Sequence, residues 1–395
     1  MVKLWQKGYK LDREIEEYTV GEDYLLDRVL LPYDITASIA HAKMLKKCGW
    51  LCAGEADAIV SELKTLAKDG LEIKKQDEDC HTAIENHLVK RLGKVGEKIH
   101  TARSRNDQVL VALRLYFKDG LQQAKTELKA LVKELRKKAK TRAPMPGYTH
   151  TRKAMPSSAR MLFSAYGDML KDELILLSAV LKIIDQNPLG SAAGYGVPLK
   201  IDRETTTKLL GFANIQENPI YCANSRGKFE MLLVGALAQV MLDLNKMASD
   251  LILFSCPEFG FFELPEEYCT GSSMMPQKLN PDPLELIRAN YHVVIGHQTA
   301  IGGICSNLIS GYHRDYQLTK GPAIRSVSIT LDSLKVMTQI IKGVRINRGK
   351  MQRAMTPELY ATGRAYELVR KGIPFREAYR KIASVTGTGM KPKNR

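Results

Sequence analysis

The chain repeats apolar residues at every third or fourth position, which is the spacing of one face of an α-helix. The clearest stripe falls within 236–254 and consists of Leu237, Val240, Met241, Leu244, Met247, Ala248 and Leu251. A comparable stripe consists of Leu162, Ala165, Met169, Leu170, Leu174, Leu177, Leu181 and Ile184. Alternation typical of strands is rare, and 71–73 is the one short strand that the pattern predicts. The sequence therefore predicts an all-α protein built on a bundle of long helices. The apolar surface of these helices favours self-association.

Two changes in composition predict domain boundaries. Around 93–101 a helical segment gives way to glycine, histidine and the start of another helix, and around 347–357 a basic turn region ends the bundle. With 395 residues the chain is long enough for two or three domains. We therefore predict an N-terminal helical domain at 1–101, a central helix-bundle domain at 102–353 and a short C-terminal helical domain at 354–395.

The composition is that of a folded soluble protein, with 44% hydrophobic and 26% charged residues. The formal charge is +16, but basic and acidic residues are interleaved and no basic tail occurs, so nucleic-acid binding is not expected. Seven cysteines without a CxxC pair argue against a disulfide framework and a structural zinc site. The N-terminus has no apolar signal region, and the run 236–254 carries three charges typical of a core helix. We expect a cytoplasmic protein that does not bind membranes.

The most informative motif is 271–281, with the sequence Gly-Ser-Ser-Met-Met-Pro-Gln-Lys-Leu-Asn-Pro. Glycine and the two prolines predict a loop that can approach a ligand closely. Its side chains offer two hydroxyls, an ammonium and two carboxamides. Asp282 as N-cap and Pro283 at the first helical position predict that a helix follows. A helix N-terminus stabilises negative charge, so the motif predicts a site for an anionic ligand.

Three further polar clusters could carry chemistry. The segment 101–108 stands at a predicted helix start, where Arg105 could bind a carboxylate with two hydrogen bonds; the alternative is an ordinary N-cap beside an incidental arginine. In 147–152, His150 could equally be a surface or capping residue. The segment 310–321 gathers hydroxyl, amide and cationic groups, but alone it could be a polar connection between helices.

The sequence gives little evidence for a bound metal ion or cofactor. His81 and Glu85 stand one helical turn apart, as in half of a metal site, but no second cluster has ligand spacing, so no metal is expected. The chain also has no P-loop and no GxGxxG fingerprint, which removes the main support for phosphoryl or hydride transfer.

Taken in order, these segments resemble the argininosuccinate lyases, a branch of the fumarase/aspartase superfamily. The run 271–281 is similar to the mobile signature loop of the superfamily, and Pro276-Gln277-Lys278 with 280–288 is similar to the argininosuccinate branch. Other matching segments lie at 34–45, 101–108, 147–150, 312–320, 359–362 and 372–379. The resemblance extends from about residue 4 to residue 382, and such an ordered series is more specific than any single motif.

The resemblance implies a fumarase/aspartase-like fold with a long central helix bundle. It also implies a homotetramer in which segments of three subunits form each active site. The implied reaction is the reversible cleavage of argininosuccinate to arginine and fumarate, without a cofactor, in arginine biosynthesis. A proton leaves a carbon next to a carboxylate, and the resulting carbanion needs fixed hydrogen-bond donors and cations. The departing guanidinium nitrogen also needs a proton.

The same resemblance assigns roles to individual residues. Ser272 is the base, Lys278 and Asn280 stabilise the intermediate, and His150, oriented by Glu285, serves the acid side with Thr149. The substrate-binding residues are expected to be Ser104, Arg105, Asn106, Thr149, Asn280, Tyr312, Gln317, Lys320 and His81. Of these, the residues at 104–106 would hold the fumarate-forming end, and those at 312–320 would bind the arginine moiety or its carboxylate.

Some segments depart from the family pattern. The usual Gly-Gly-Arg-Phe after Leu4-Trp5 is replaced by Gln6-Lys7-Gly8-Tyr9, and a substrate-binding serine near the first helix corresponds to Gly21. The segment 224–229 keeps Arg226 without its flanking acids, and the C-terminal domain is short. Two alternatives stay open: another fumarate-producing lyase of the adenylosuccinate lyase or aspartase type, and a noncatalytic crystallin-like homologue.

Overall fold

The structure is a computed structural model that describes residues 11–385. The segment 4–9, where one family departure falls, lies outside the described residues. The first five helices are α1 (Arg13–Val20), α2 (Asp23–Lys47), α3 (Ala53–Asp69), α4 (Cys80–Leu92) and α5 (Lys94–Glu97). They are followed by α6 (Arg105–Lys138), α7 (Ala159–Ile184), α8 (Arg203–Leu210), α9 (Pro219–Asn224) and α10 (Lys228–Ser255). The remaining helices are α11 (Asp282–Cys305), α12 (Gln317–Gly343), α13 (Arg348–Ala354), α14 (Ala361–Arg370) and α15 (Phe375–Val385). The prediction of a mainly helical protein is therefore confirmed.

Short strands accompany the helices. They are β1 (Pro144–Thr149), β2 (Arg152–Ser158), β3 (Gln186–Asn187), β4 (Asn214–Ile215), β5 (Phe262–Glu263), β6 (Thr270–Gly271), β7 (Leu279–Asn280) and β8 (Arg345–Ile346). They form two-stranded sheets, of which β3–β4 is parallel and β1–β2, β5–β8 and β6–β7 are antiparallel. The strand predicted at 71–73 is wrong. Ile73 is buried there, but the segment leads into a 3-10 turn and pairs with no strand among residues 11–385.

The described chain divides into two compact units, each assembled from segments far apart in sequence. The first contains the described part of Met1–Lys125 together with Leu174–Gln239 and His292–Leu331. The second contains Thr126–Glu173, Val240–Tyr291 and the described part of Asp332–Arg395. The two units are defined by their compactness, and their limits do not coincide with the changes in composition along the sequence. The domain boundaries proposed at 101 and 353 therefore stay predictions.

Each unit has an apolar cluster of its own. In the first unit, a buried cluster includes Ala37, Ala40, Val111, Leu189, Leu210 and Phe212. In the second, Phe254 stacks on Phe261 with ring centroids 5.7 Å apart and meets Phe259 edge-on at 5.5 Å. Such aromatic pairs add to the free energy that their burial already supplies.

The predicted apolar stripes are buried to different extents. All seven positions predicted in 237–251 are buried, which confirms α10 as a core helix. The helical stretch Pro219–Ser255 is apolar and long enough to cross a membrane, but 56% of its most apolar window is buried inside the protein. In α7 the buried face includes Phe163 and Tyr166, whereas Ala165 of the predicted stripe is exposed. Leu170, Leu177 and Ile184 of the predicted stripe are buried as well, so the inward face of α7 combines aliphatic and aromatic side chains.

A buried histidine in α2 predicts sensitivity to acid. His41 is 1% exposed; its Nε2 lies 2.9 Å from the Thr101 carbonyl, and its Nδ1 has no partner in the described part of the chain. Burial and the charge of Arg103 lower the pKa of His41 to about 3 from an ordinary value of 6.5. Between these two pH values the unfolded chain binds a proton that the folded chain does not, so stability falls as the pH falls.

We expect the free energy of unfolding to drop by up to about 1.4 kcal/mol per pH unit from pH 6 towards pH 4 through His41 alone. Denaturant unfolding at several pH values measures this slope. His41→Gln should flatten it. An identical slope in the wild type and in His41→Gln would contradict the assignment.

Candidate active site

A polar cavity of about 300 Å³ lies in the first unit. It is lined by Asp23, Asp79, His81, His100, Ser104, Arg105, Asn106, Val109, Arg226, Tyr312, Arg314, Gln317 and Lys320. The cavity thus brings together all the predicted substrate-binding residues except Thr149 and Asn280, which belong to the second unit. Segments more than 200 positions apart in sequence meet here, although their roles in binding stay predictions.

The segment around Ser104 forms the N-terminus of α6. The Ser104 amide donates to Asp107 Oδ1 at 2.9 Å, and the Asn106 amide donates to Ser104 Oγ at 3.3 Å, so the two side chains cap the helix reciprocally. Asp107 also accepts hydrogen bonds from the amides of Gly190 and Ala192. The helix cap that the sequence offered as an alternative is therefore real. It also places Ser104 and Asn106 at the positive end of a long helix, beside the cavity.

Arg105 is already bound to acids of the same unit. Its Nε donates to Asp79 Oδ2 at 2.8 Å and its Nη1 to Glu78 Oε2 at 3.0 Å, while Nη2 also contacts Asp79. Burial acts against ionisation of Arg105, but the charges of Asp79 and Glu78 outweigh it and raise the pKa of the guanidinium. Burial would raise the pKa of Asp79, but His81 and Arg105 lower it to about 2. To bind a substrate carboxylate directly, Arg105 would therefore have to share its N–H donors between that carboxylate and these two acids.

His81 has a free ring nitrogen in the wall of the cavity. The side chain is 2% exposed, Nδ1 lies 2.9 Å from Asp34 Oδ2, and Nε2 has no partner within residues 11–385. Burial lowers the pKa of His81, but Asp34 and other acids outweigh it and the pKa is raised overall. The protonated ring would present an Nε2–H donor to an anionic ligand.

His81 also belongs to a group of three potential metal ligands, Asp27, Cys80 and His81, whose ligand atoms lie within 4.8 Å of one another. The sequence did not indicate this group. However, Asp27 Oδ1 accepts from Lys320 at 2.6 Å and Oδ2 from the Cys80 amide at 3.0 Å. An ammonium group thus already neutralises the carboxylate that a metal ion would need.

The segment 314–320 supplies three further groups to the cavity. Lys320 is 2% exposed and lies 2.6 Å from Asp27 Oδ1 and 3.2 Å from Asp23 Oδ2. Gln317 Nε2 donates to the carbonyls of Thr19 and Val20 at 3.1 Å, and Arg314 also donates to the Thr19 carbonyl. These bonds hold the segment against the C-terminus of α1.

Two departures from the family pattern can be placed in this unit. Gly21 ends α1 with φ of 56° and does not line the cavity; Asp23, two residues further on, does. Arg226 lines the cavity and is 3% exposed. Its Nε lies 3.0 Å from Oε1 of Glu230, an acid one helical turn away.

The sequence assigned no role in the site to six residues that line the cavity: Asp23, Asp79, His100, Val109, Arg226 and Arg314. One signal was present. The acidic run 77–79 ends two positions before His81, and a buried guanidinium or imidazolium requires carboxylate partners. The sequence alone could not show which cation these acids accompany.

The predicted loop lies in the second unit as the connection between β6 and β7. Ser272 Oγ accepts hydrogen bonds from the amides of Met274 at 3.3 Å and Met275 at 3.1 Å. Lys278 is exposed and Met274 is 87% exposed, as expected of a loop that contacts a ligand. The helix α11 begins at Asp282, one residue earlier than predicted, and the Asp282 carboxylate accepts from the Thr270 hydroxyl.

His150 occupies a hairpin turn, which the sequence did not predict. His150 and Thr151 join β1 to β2 with φ values of 52° and 57°, the left-handed backbone of a tight two-residue hairpin turn. Tyr148 anchors the hairpin, since its ring lies 5.8 Å from both Phe254 and Phe259. His150 and Thr149 are exposed at the tip. The prolines of β1 and β2 concealed the hairpin, because proline is uncommon within strands.

Glu285 is exposed in the first turn of α11. No hydrogen bond joins it to His150 within the described single chain. The orientation of His150 by Glu285 therefore stays a prediction.

Comparison with known proteins gives a consistent result. A family model described as "Lyase" matches residues 10–296. The chain is 52% identical to the argininosuccinate lyase of Thermotoga neapolitana over 395 residues, covering 98% of each protein. It is 44% identical to the argininosuccinate lyase of Sorangium cellulosum, covering 97% of this chain and 90% of that protein.

Solved structures agree in fold. The crystal structure of EDDS lyase in complex with formate has a TM-score of 0.83 and 26% identity, covering 97% of this chain and 77% of that one. A class II fumarase from Schistosoma mansoni has a TM-score of 0.80 at 17% identity, covering 98% of this chain and 93% of that chain, which supports the fold alone. The predicted fumarase/aspartase-like fold is confirmed.

Proposed function

Because the chain belongs to the lyase family, and within it to the argininosuccinate lyases, we propose that it cleaves argininosuccinate reversibly to arginine and fumarate in arginine biosynthesis. The main support from the structure is the cavity, which gathers seven residues that sequence resemblance assigned to this substrate. The substrate carries three carboxylates, a guanidinium and an ammonium. A cavity lined by both acids and bases suits such a ligand better than it suits an apolar one.

Proton removal is assigned to Ser272. An ordinary hydroxyl is a poor base, but hydrogen bonds donated to its oxygen favour the deprotonated form. The amides of Met274 and Met275 donate to Ser272 Oγ. Lys278 in the same loop supplies a positive charge for the alkoxide or for the carbanion intermediate. The loop would close over substrate held by the cavity of a neighbouring copy.

We assign the protonation of the leaving guanidinium nitrogen to His150 and the groups around it. His150 stands exposed at the tip of the β1–β2 hairpin, where its imidazole is accessible to a ligand. Thr149 at the end of β1 would bind substrate beside it. Water would carry the proton between His150 and the leaving nitrogen.

We also propose a homotetramer with shared active sites in the cytoplasm. Large apolar side chains remain uncovered on three long helices of the single chain: Met161, Ile175 and Ile183 on α7, Leu242 and Leu253 on α10, and Leu286 and Val293 on α11. Burial of such groups favours association. All seven cysteines are free thiols, which fits a reducing compartment.

The substrate assignment predicts the outcome of a direct assay. Purified protein should release fumarate from argininosuccinate, followed by ultraviolet absorbance, and should show no comparable rate with adenylosuccinate or aspartate. Activity on only one of the latter two would replace the proposed substrate. No activity on any of them would favour a noncatalytic role.

A further inference from the structure

A basic groove of about 550 Å³ lies in the second unit, and none of its lining residues has a role in the proposed reaction. Three of its lining side chains, Lys140, Arg142 and Arg348, are cations, and none is an acid. The candidate active site differs, because two aspartates stand beside its cations. The residues of the basic groove therefore leave its positive charge unbalanced.

The three cations are also without partners elsewhere. Their side chains are exposed, and within residues 11–385 none of them has a hydrogen-bond acceptor or an ion-pair partner. Lys137, one helical turn before Lys140, is by contrast paired with Glu134 at 2.6 Å. Like charges around one concave surface repel each other and concentrate a positive potential there. A bound anion would remove this repulsion.

Two contacts outside the lining join the segments that carry the cations. Lys138 at the end of α6 donates to the Val344 carbonyl at 2.6 Å, just before β8. Lys153 of β2 donates to the Ala354 carbonyl at the end of α13 at 2.8 Å. The walls of the basic groove are therefore connected without a ligand, which lowers the free-energy cost of ordering them on binding.

The charge and the size of the basic groove favour a small oligophosphate. A guanidinium group binds two phosphate oxygens at once, and two of the three cations are arginines. One phosphate monoester carries about −1.5 to −2 charges at pH 7, so a single phosphate does not balance three cations, whereas a diphosphate or triphosphate does. The volume suits one small ligand. A long polynucleotide would instead need an extended basic stripe.

We propose that the basic groove binds a small oligophosphate, with Arg142 and Arg348 donating hydrogen bonds to phosphate oxygens and Lys140 supplying the third positive charge. The inference does not depend on the proposed function. Inorganic triphosphate and ATP share the phosphate chain and are the two probes that distinguish its sources.

The test is calorimetric titration of inorganic triphosphate into the intact protein at low ionic strength and without divalent cations. We expect saturable binding by the wild type. Arg142→Gln/Arg348→Gln should weaken it by about 30-fold or more, because two hydrogen-bond donors to a charged ligand are lost. ATP is titrated in parallel. Equal affinities would assign recognition to the phosphate chain alone, and tighter binding of ATP would add the nucleoside to a site that binds the chain.

The control variant removes the same charge from another surface. Lys64 and Lys68 are exposed on α3 in the first unit, so Lys64→Gln/Lys68→Gln lowers the net charge equally without changing the basic groove. Its affinity for triphosphate should stay within about two-fold of the wild type, since distant exposed charges are screened by salt.

Gly349→Glu keeps the inference testable if the double arginine variant does not fold. A Cβ at Gly349 would lie 3.5 Å from Arg353 Nη1 and 3.6 Å from Asn347 Oδ1, which are ordinary contacts, so the new side chain fits. Glutamate is also a better helix former than glycine. Its carboxylate would compete with the ligand for the cations, and the affinity for triphosphate should fall about 10-fold or more.

Three results would overturn the inference. One is the absence of saturable triphosphate binding by the wild type. Another is the same loss of affinity in Lys64→Gln/Lys68→Gln as in Arg142→Gln/Arg348→Gln, which would make binding a general effect of net charge. The third is tighter binding of a single strand of about ten nucleotides than of triphosphate, abolished by the arginine changes, because the basic groove would then belong to a nucleic-acid surface.

Discussion

Ser272→Ala is expected to lower the kcat for argininosuccinate by about 10²–10⁴-fold, the range over which a positioned general base contributes. The hydroxyl oxygen accepts from two consecutive backbone amides, 3.3 and 3.1 Å away. These donors would stabilise an alkoxide without reorganisation of the loop at the moment of proton transfer. Alanine removes the oxygen on which both donors converge, and no other hydroxyl takes its place.

The adjacent Ser273 provides the control. It is exposed in the same loop, so Ser273→Ala changes the same chemical group one position away. We expect its kcat to stay within a few-fold of the wild type. Size-exclusion chromatography should give the same assembly for both variants, because an exposed loop hydroxyl contributes little to packing. A near-normal rate for Ser272→Ala would remove this residue from the role of base.

The helices were predictable from sequence because burial of aliphatic side chains dominates their packing. The stripe of α10 is a clear case, since every position selected from the pattern is buried. The hairpin that carries His150 was not predictable by the same rule. It depends on proline-containing strands and on contacts of Tyr148 with Phe254 and Phe259 about 100 positions further along the chain.

The candidate site was predictable as a set of segments but not as a network of charges. Motifs identified Arg105 and Lys320, yet the acids that bind them were missed. Asp79 is 26 positions from Arg105, and Asp27 is 293 positions from Lys320. Pairing at such separations is decided by the tertiary fold, and no local pattern encodes it. The same is true of the two amides that converge on Ser272 Oγ, because they depend on the backbone path of the loop.

Lys320→Met is expected to reduce the free energy of unfolding by about 3–5 kcal/mol, the cost of removing one partner of a buried ion pair. Asp27 is fully buried, and the Lys320 ammonium lies 2.6 Å from its Oδ1. Burial alone would lower the pKa of Lys320, but Asp27 and Asp23 outweigh it and raise the pKa, so the lysine is a cation at neutral pH. Methionine fills a similar volume and leaves the Asp27 charge uncompensated.

Denaturant unfolding and kcat/KM measured on the same preparations separate stability from binding. The double variant Lys320→Met/Asp27→Asn should regain much of the lost stability, since no unpaired charge at position 27 remains, but it should not regain the kcat/KM of the wild type. Lys47→Met is the surface control: Lys47 pairs with Asp202 at 2.6 Å but is 63% exposed, so a loss below about 1 kcal/mol is expected. If the double variant recovered both stability and kcat/KM, Lys320 would be a structural cation and not a substrate ligand. Recovery of stability without recovery of kcat/KM would support a role of the Lys320 ammonium in substrate binding.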